Sequence, residues 1–144
     1  MSFLNHNQIE DYNNKGYVSP INIFSKQEAK EIREEIEKIE KKWPEALTGL
    51  NRNYVHLISP VFDKICHNSK ILDAVESLIG KNILICGTTL FIKNPNEKGF
   101  VSFHQDAKYI GLEPHNWVTA VSYTHLRAHE TSLHLVCRLM LEKK

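Results

Sequence analysis

Long apolar runs are missing from this chain, so nothing in it reads as a bilayer-spanning helix. The opening MSFLNHNQIEDYNN has neither the basic start nor the apolar stretch of a signal peptide, and export is not expected. Only three cysteines occur, without paired spacing. That excludes a disulfide framework and points to reduced thiols in a cytoplasm. Neither charge sign is in excess, with 18 Lys+Arg against 17 Asp+Glu, so there is no basic footprint for nucleic acid. Internal repeats and low-complexity tracts are absent as well. What remains, 144 residues with 42% hydrophobic and 24% charged content, suits one soluble globular domain.

Local signals order that domain. Residues 7–14 predict a short helix that ends near Gly16, a suitable C′ residue. In GYVSPINIF, Val18, Ile21, Ile23 and Phe24 surround Pro20, which predicts an edge strand or extended lead-in. Ser25-Lys26-Gln27-Glu28 is a capping box. The helix it opens places Ala29, Ile32, Ile36, Ile39 and Trp43 on one face at three- and four-residue steps, and Pro44 ends it. Its Lys/Glu-rich opposite face is most simply a solvated surface.

ALTGLNRN reads as a loop and NYVHLISP as an extended segment. Pro60 to Asn68 predicts a helical turn, and Ser69 caps a second helix over 70–79 that stops at Gly80. That helix's buried side is Ile71, Leu72, Val75, Leu78 and Ile79. The run ILICGTTLFIK, residues 83–93, is apolar and β-branched, as expected of a central strand buried on both faces. After a turn at Asn94-Pro95-Asn96 and Gly99, Val101 and Phe103 alternate with Ser102 and His104 in a further strand. Trp117-Val118-Thr119 begins another. Helices first and short strands later give an α+β plan, or an all-β one with helices packed outside.

The chemistry-bearing stretch is GFVSFHQDAKYIGL. In an extended backbone His104 and Asp106, two residues apart, turn to the same side. A neutral imidazole and a carboxylate there are two of the three ligands of a 2-His-1-carboxylate ferrous site. Alone, a His-x-Asp pair is common and equally serves as a hydrogen-bonded surface pair at a strand end. Other polar residues have plain readings. His56, between apolar neighbours, is a hydrogen-bonded core or loop histidine first and a functional group second. His115 is a turn residue, and Cys66 and Cys86 pack as small apolar side chains.

The last segment, VSYTHLRAHETSLHLVCRLMLEKK, has no turn chemistry and no clear period. Val121 to Thr131 back-translates into a sequence similar to a transposon-type sequencing adapter read in frame. Leu135 to Glu142 resembles a flow-cell adapter. We therefore expect residues 120–144 to be an adapter-derived tail and 1–119 to carry the domain. The tail from Val121 holds four of the 18 Lys+Arg and two of the 17 Asp+Glu, leaving 14 basic and 15 acidic groups, a net of −1. It also holds His125 and His129, whose i, i+4 spacing imitates a metal site.

LFIKNP, GFVSFHQDAKYIGL and VTA, in that order, resemble the phytanoyl-CoA dioxygenase family of Fe(II)/2-oxoglutarate oxygenases. NYVHLISPVFD and SKILDAVESLIGKNIL match its helical N-terminal part, so the likeness covers most of residues 5–119. The resemblance implies an α+β fold: N-terminal helices plus the first strands of a truncated double-stranded β-helix, or jelly roll. It implies Fe(II), with 2-oxoglutarate and O2 as co-substrates, held with His104 and Asp106 as metal ligands.

Lys93 matches a position that contacts 2-oxoglutarate in some members, with a solvated strand-end lysine as the alternative. Gln105 and Tyr109 match pocket residues near the iron. Asp106 favours hydroxylation, since the family's halogenases carry a small residue there. The implied partner is a small organic substrate, with no nucleic acid and no membrane. Members usually have a Trp after VTA, where this chain has Val121. Nothing downstream matches the distal His ligand or the Arg that grips the co-substrate. A non-catalytic, cupin-like metal- or ligand-binding jelly roll is the alternative function, and an interaction protein without metal is a third.

Overall fold

The chain begins by alternating helix with strand, and each boundary has a local cause. The computed structural model describes residues 2–92, 110–111, 113–114, 116–122 and 137–143, the last seven by their backbone alone. Helix α1, His6–Lys15, opens on a capping box in which Asn5 and Gln8 each accept the other's backbone N–H. It closes at Gly16 in the left-handed conformation, φ 80°, as the sequence predicts. Strand β1, Tyr17–Phe24, follows at once.

Helix α2, Lys26–Lys42, opens on the expected box. The Glu28 N–H donates to Ser25 Oγ at 3.2 Å, and the Ser25 N–H donates to the Glu28 carboxylate at 2.7 Å. That bond holds the Glu28 carboxyl below the usual carboxylate range. The outer face of α2 is solvated and laced with pairs between Lys30 and Glu34, Arg33 and Glu37, and Glu35 and Lys38. Exposed pairs of this kind add little to stability. Trp43 departs from the predicted buried face. It is the C-terminal cap, 53% exposed, with the Lys42 ammonium 4.3 Å from its ring centre. The helix ends before Trp43 reaches the next turn, so the side chain never rejoins the apolar stripe.

Three single turns of 3₁₀-helix, Pro44–Leu47, Gly49–Arg52 and Val55–Leu57, lead to helix α3, Pro60–Cys66. Helix α4 spans Ser69–Ile79. Its cap is Asn68 rather than Ser69: the Asn68 side chain accepts the Lys70 N–H at 3.0 Å, and Ser69 is the first helical residue. Strands β2, Val118–Ser122, and β3, Cys137–Lys143, complete one three-stranded antiparallel sheet in the order β1-β3-β2. Mixed α+β architecture is therefore as expected, and β1 is an edge strand. Its register against β3 shifts between Val18 and Ile21, where Pro20 has no N–H to give. The segment 137–143 supplies the middle strand of this sheet.

Two apolar clusters hold the helices. In the larger, Val18, Ile21, Ile23 and Phe24 of β1 meet Leu4, Tyr12, Ala29, Ile71, Ala74 and Val75, with Ile32 at its edge. In the smaller, Leu47, Val55 and Phe62 meet Ile36, Ile39 and Leu90. Helix α2 thus reaches both. The Lys70 ammonium donates to the Ile23 carbonyl at 3.0 Å and ties α4 to β1.

Two outcomes follow from this packing. Ile23 is 1% exposed, so Ile23→Ala should cost about 2–5 kcal/mol in urea unfolding. Burial also pushes the Tyr12 hydroxyl from its ordinary value of 10.0 up to about 12. Between those values unfolding releases a proton that the folded chain keeps, so stability falls as pH rises through that window. Tyr12→Phe should reduce the alkaline loss in melting curves taken across it, leaving the smaller part due to Lys15 and Lys38, whose carboxylate partners raise them.

Candidate functional site

The segment 83–92 is extended but departs from the predicted central strand. Its side chains alternate, with Ile83, Ile85, Leu90 and Ile92 half-buried and Leu84 and Phe91 exposed at 89% and 77%. A strand buried on both faces needs neighbours on both sides. Among the described residues this one is held by a single isolated bridge, Asn53 to Thr89.

Around that bridge the contacts are dense. The Leu90 N–H donates to the Arg52 carbonyl at 2.9 Å, and the Tyr54 N–H to the Thr88 carbonyl at 2.7 Å. Thr89 Oγ1 donates to Asn53 Oδ1 at 3.0 Å. Arg52 Nε donates to the Leu47 carbonyl at 2.9 Å, which fixes the turn from the other side.

NYVHLISP is accordingly a reversal and not the extended piece its composition suggests. Tyr54 lies in the left-handed region, φ 56° and ψ 32°, and Val55–Leu57 turn immediately after it. A bulky residue there is a genuine outlier. The reversal buries Val55 in the smaller cluster and leaves Tyr54 and Leu57 exposed. It also sets His56, half-buried, against Thr88: Nδ1 and Oγ1 are 2.8 Å apart, and the His56 N–H donates to the same oxygen at 3.4 Å. The sequence points to His56 more readily than to Thr88. The available signal was the Thr88-Thr89 pair interrupting an otherwise apolar run.

The predicted metal ligands His104 and Asp106, and the predicted co-substrate residues Lys93, Gln105 and Tyr109, lie outside the described residues. The structure gives the flanks. Upstream is the segment anchored at Thr88–Leu90, which runs toward position 93. Downstream is Trp117, whose Nε1 donates to Thr119 Oγ1 at 3.1 Å where β2 begins. No three His, Cys, Asp or Glu side chains gather as a metal site among the described residues.

The thiols differ from expectation in one case. Cys66 is half-buried and burial pushes its thiol up, whereas Cys86 is exposed and does not pack as an apolar side chain. His67 and Asp63 form an exposed i, i+4 pair at 3.1 Å, an ordinary surface contact. No described helix is long and apolar enough to cross a membrane.

Comparison with known proteins gives one positive result. The family profile described as phytanoyl-CoA dioxygenase (PhyH) matches residues 12–132. The match takes in every described element from β1 to β2, including the 52–56 and 87–90 pairing. No curated protein and no solved structure matches the chain. With most of its length covered by that profile, the chain belongs to the phytanoyl-CoA dioxygenase family, whose members are Fe(II)/2-oxoglutarate dioxygenases.

Proposed function

We propose that this chain is the N-terminal part of a non-haem Fe(II)/2-oxoglutarate-dependent dioxygenase that hydroxylates a small organic substrate in the cytoplasm. The observation that carries the reading is the family match over residues 12–132, with a His-x-Asp pair inside it at positions 104 and 106. The donor types suit ferrous iron: a neutral imidazole and a carboxylate two residues apart in sequence. His104 and Asp106 would hold the metal, with Lys93, Gln105 and Tyr109 on the co-substrate side. When bound, the metal supplies the oxygen-activating chemistry, driven by 2-oxoglutarate. The chain's part is ligation, orientation and exclusion of water from the substrate pocket.

The same reading takes the N-terminal helices as packed outside the first strands of a truncated jelly roll, whose later strands belong to the parent gene. It places the domain in residues 1–119 and assigns 120–144 a separate, adapter-derived origin. The back-translation of Val121 to Thr131 supports that boundary, although the family match itself runs on to residue 132. Two assigned protein ligands are one short of a facial set, so the 144-residue chain turns over no 2-oxoglutarate.

Re-sequencing the source locus across codon 119 with an adapter-free read tests both statements. A frame that continues with a Trp near position 121, then a His and an Arg, supports the enzyme. Genomic DNA that encodes VSYTHLRAHET removes it and leaves the cupin-like binding module. In the restored gene, His104→Ala and Asp106→Ala should each weaken Fe(II) binding by more than the roughly tenfold typical of removing an outer-shell partner. Both should abolish succinate formation. Unchanged iron content in both variants would overturn the ligand assignment, and succinate formed by the 144-residue chain would overturn its inactivity.

A further inference from the structure

We propose that His56 is a ligand-recognition residue, its ring pinned by Thr88 so that Nε2–H is offered to an acceptor oxygen on a small molecule with an apolar body. The meaning of this site as substrate recognition rests on the oxygenase reading; the binding itself needs no iron.

Three observations carry it. First, Thr88 Oγ1 accepts the His56 backbone N–H at 3.4 Å and lies 2.8 Å from Nδ1 of the same residue. The hydroxyl has one proton to give, and giving it to Nδ1 is the arrangement that uses every group. The neutral ring then carries its own hydrogen on Nε2, a donor with no partner among the described residues. Second, the chain adopts an unfavourable conformation to put His56 there. Tyr54 sits at φ 56°, and Gly87 runs so close beneath it that a Cβ at Gly87 would be 3.2 Å from Tyr54 Cε1. Strain of this kind persists where the surroundings fix it, and it concentrates at ligand sites. Third, an exposed aromatic ring stands near the imidazole. The Tyr54 ring, 55% exposed, is centred 6.5 Å from the imidazole, and Leu57 next to it in sequence is 74% exposed. One oriented donor near an exposed aromatic ring fits a carboxylate or carbonyl head on a hydrocarbon body.

The test is an NMR titration of the 144-residue chain with hexanoate, and with hexylammonium as a donor-only control. Long-range imidazole correlations should show the Nε2–H tautomer for His56. Millimolar hexanoate should then give saturable shifts at His56 and Tyr54, with none from hexylammonium. Thr88→Val should mix the tautomers and weaken hexanoate binding about fivefold, the scale of one lost hydrogen bond. His56→Ala should abolish binding, and His56→Gln, which keeps a terminal N–H, should restore part of it.

The proposal is overturned by equal shifts from both probes, by no saturable shift, by a dominant Nδ1–H tautomer, or by wild-type binding in His56→Ala. A wild-type chain without dispersed signals overturns it too, because the geometry would then be wrong. Failure of the oxygenase reading looks different. Hexanoate would still bind at His56 while the restored gene consumed no 2-oxoglutarate.

Discussion

Burial of one short strand organises the described fold. Val18, Ile21, Ile23 and Phe24 of β1 have α1, α2 and α4 packed around them, and each helix keeps its place through a side chain in that cluster. The cluster removes apolar surface at roughly 25 cal/mol per Å², which helices this short need, because propensity alone leaves them marginal in water. Polar ties then fix the angles. The Lys70 ammonium on the Ile23 carbonyl and Ser77 Oγ accepting the Leu4 N–H cross from α4 to the opposite end of the sequence.

From that base α2 extends the order to the second cluster. Ala29 and Ile32 belong to the first, Ile36 and Ile39 to the second. The turns between α2 and α3 are therefore positioned at a distance by a rigid helix. This matters for the site, because the reversal at Tyr54 has its bearing on Val55 in the second cluster, and Tyr54 and Arg52 in turn hold the segment leading to position 93.

Local chemistry made much of this legible in advance. The capping box at Ser25, the stop at Gly16, the edge character conferred by Pro20 and the helix over 70–79 all depend on contacts within a few residues. Sequence spacing reports such contacts directly. The misreadings share a cause as well. Trp43 follows from helical spacing and the 83–92 segment and NYVHLISP from composition, but their conformation and burial depend on where the helix stops and which neighbours arrive from elsewhere in the chain. An apolar run such as ILICGTTLFIK has strand character whether or not strands flank it, so Leu84 and Phe91 could not be placed from their identity. The His-x-Asp pair was legible as donor chemistry and as a family feature. Its company was less so: the Thr88 to His56 contact joins residues 32 apart, beyond any periodic pattern.

Pro20 has a meaning for the chain's dealings with its own copies. The run Tyr17 to Phe24 is apolar and β-prone, and it forms an edge of the described sheet. Such an edge templates the addition of another strand. A proline in its middle displaces the register and kinks the strand, so a second molecule meets an irregularly spaced row of hydrogen-bonding groups. The residue that disturbs the pairing with β3 thereby also guards against edge-to-edge aggregation, at the cost of a slightly weaker sheet.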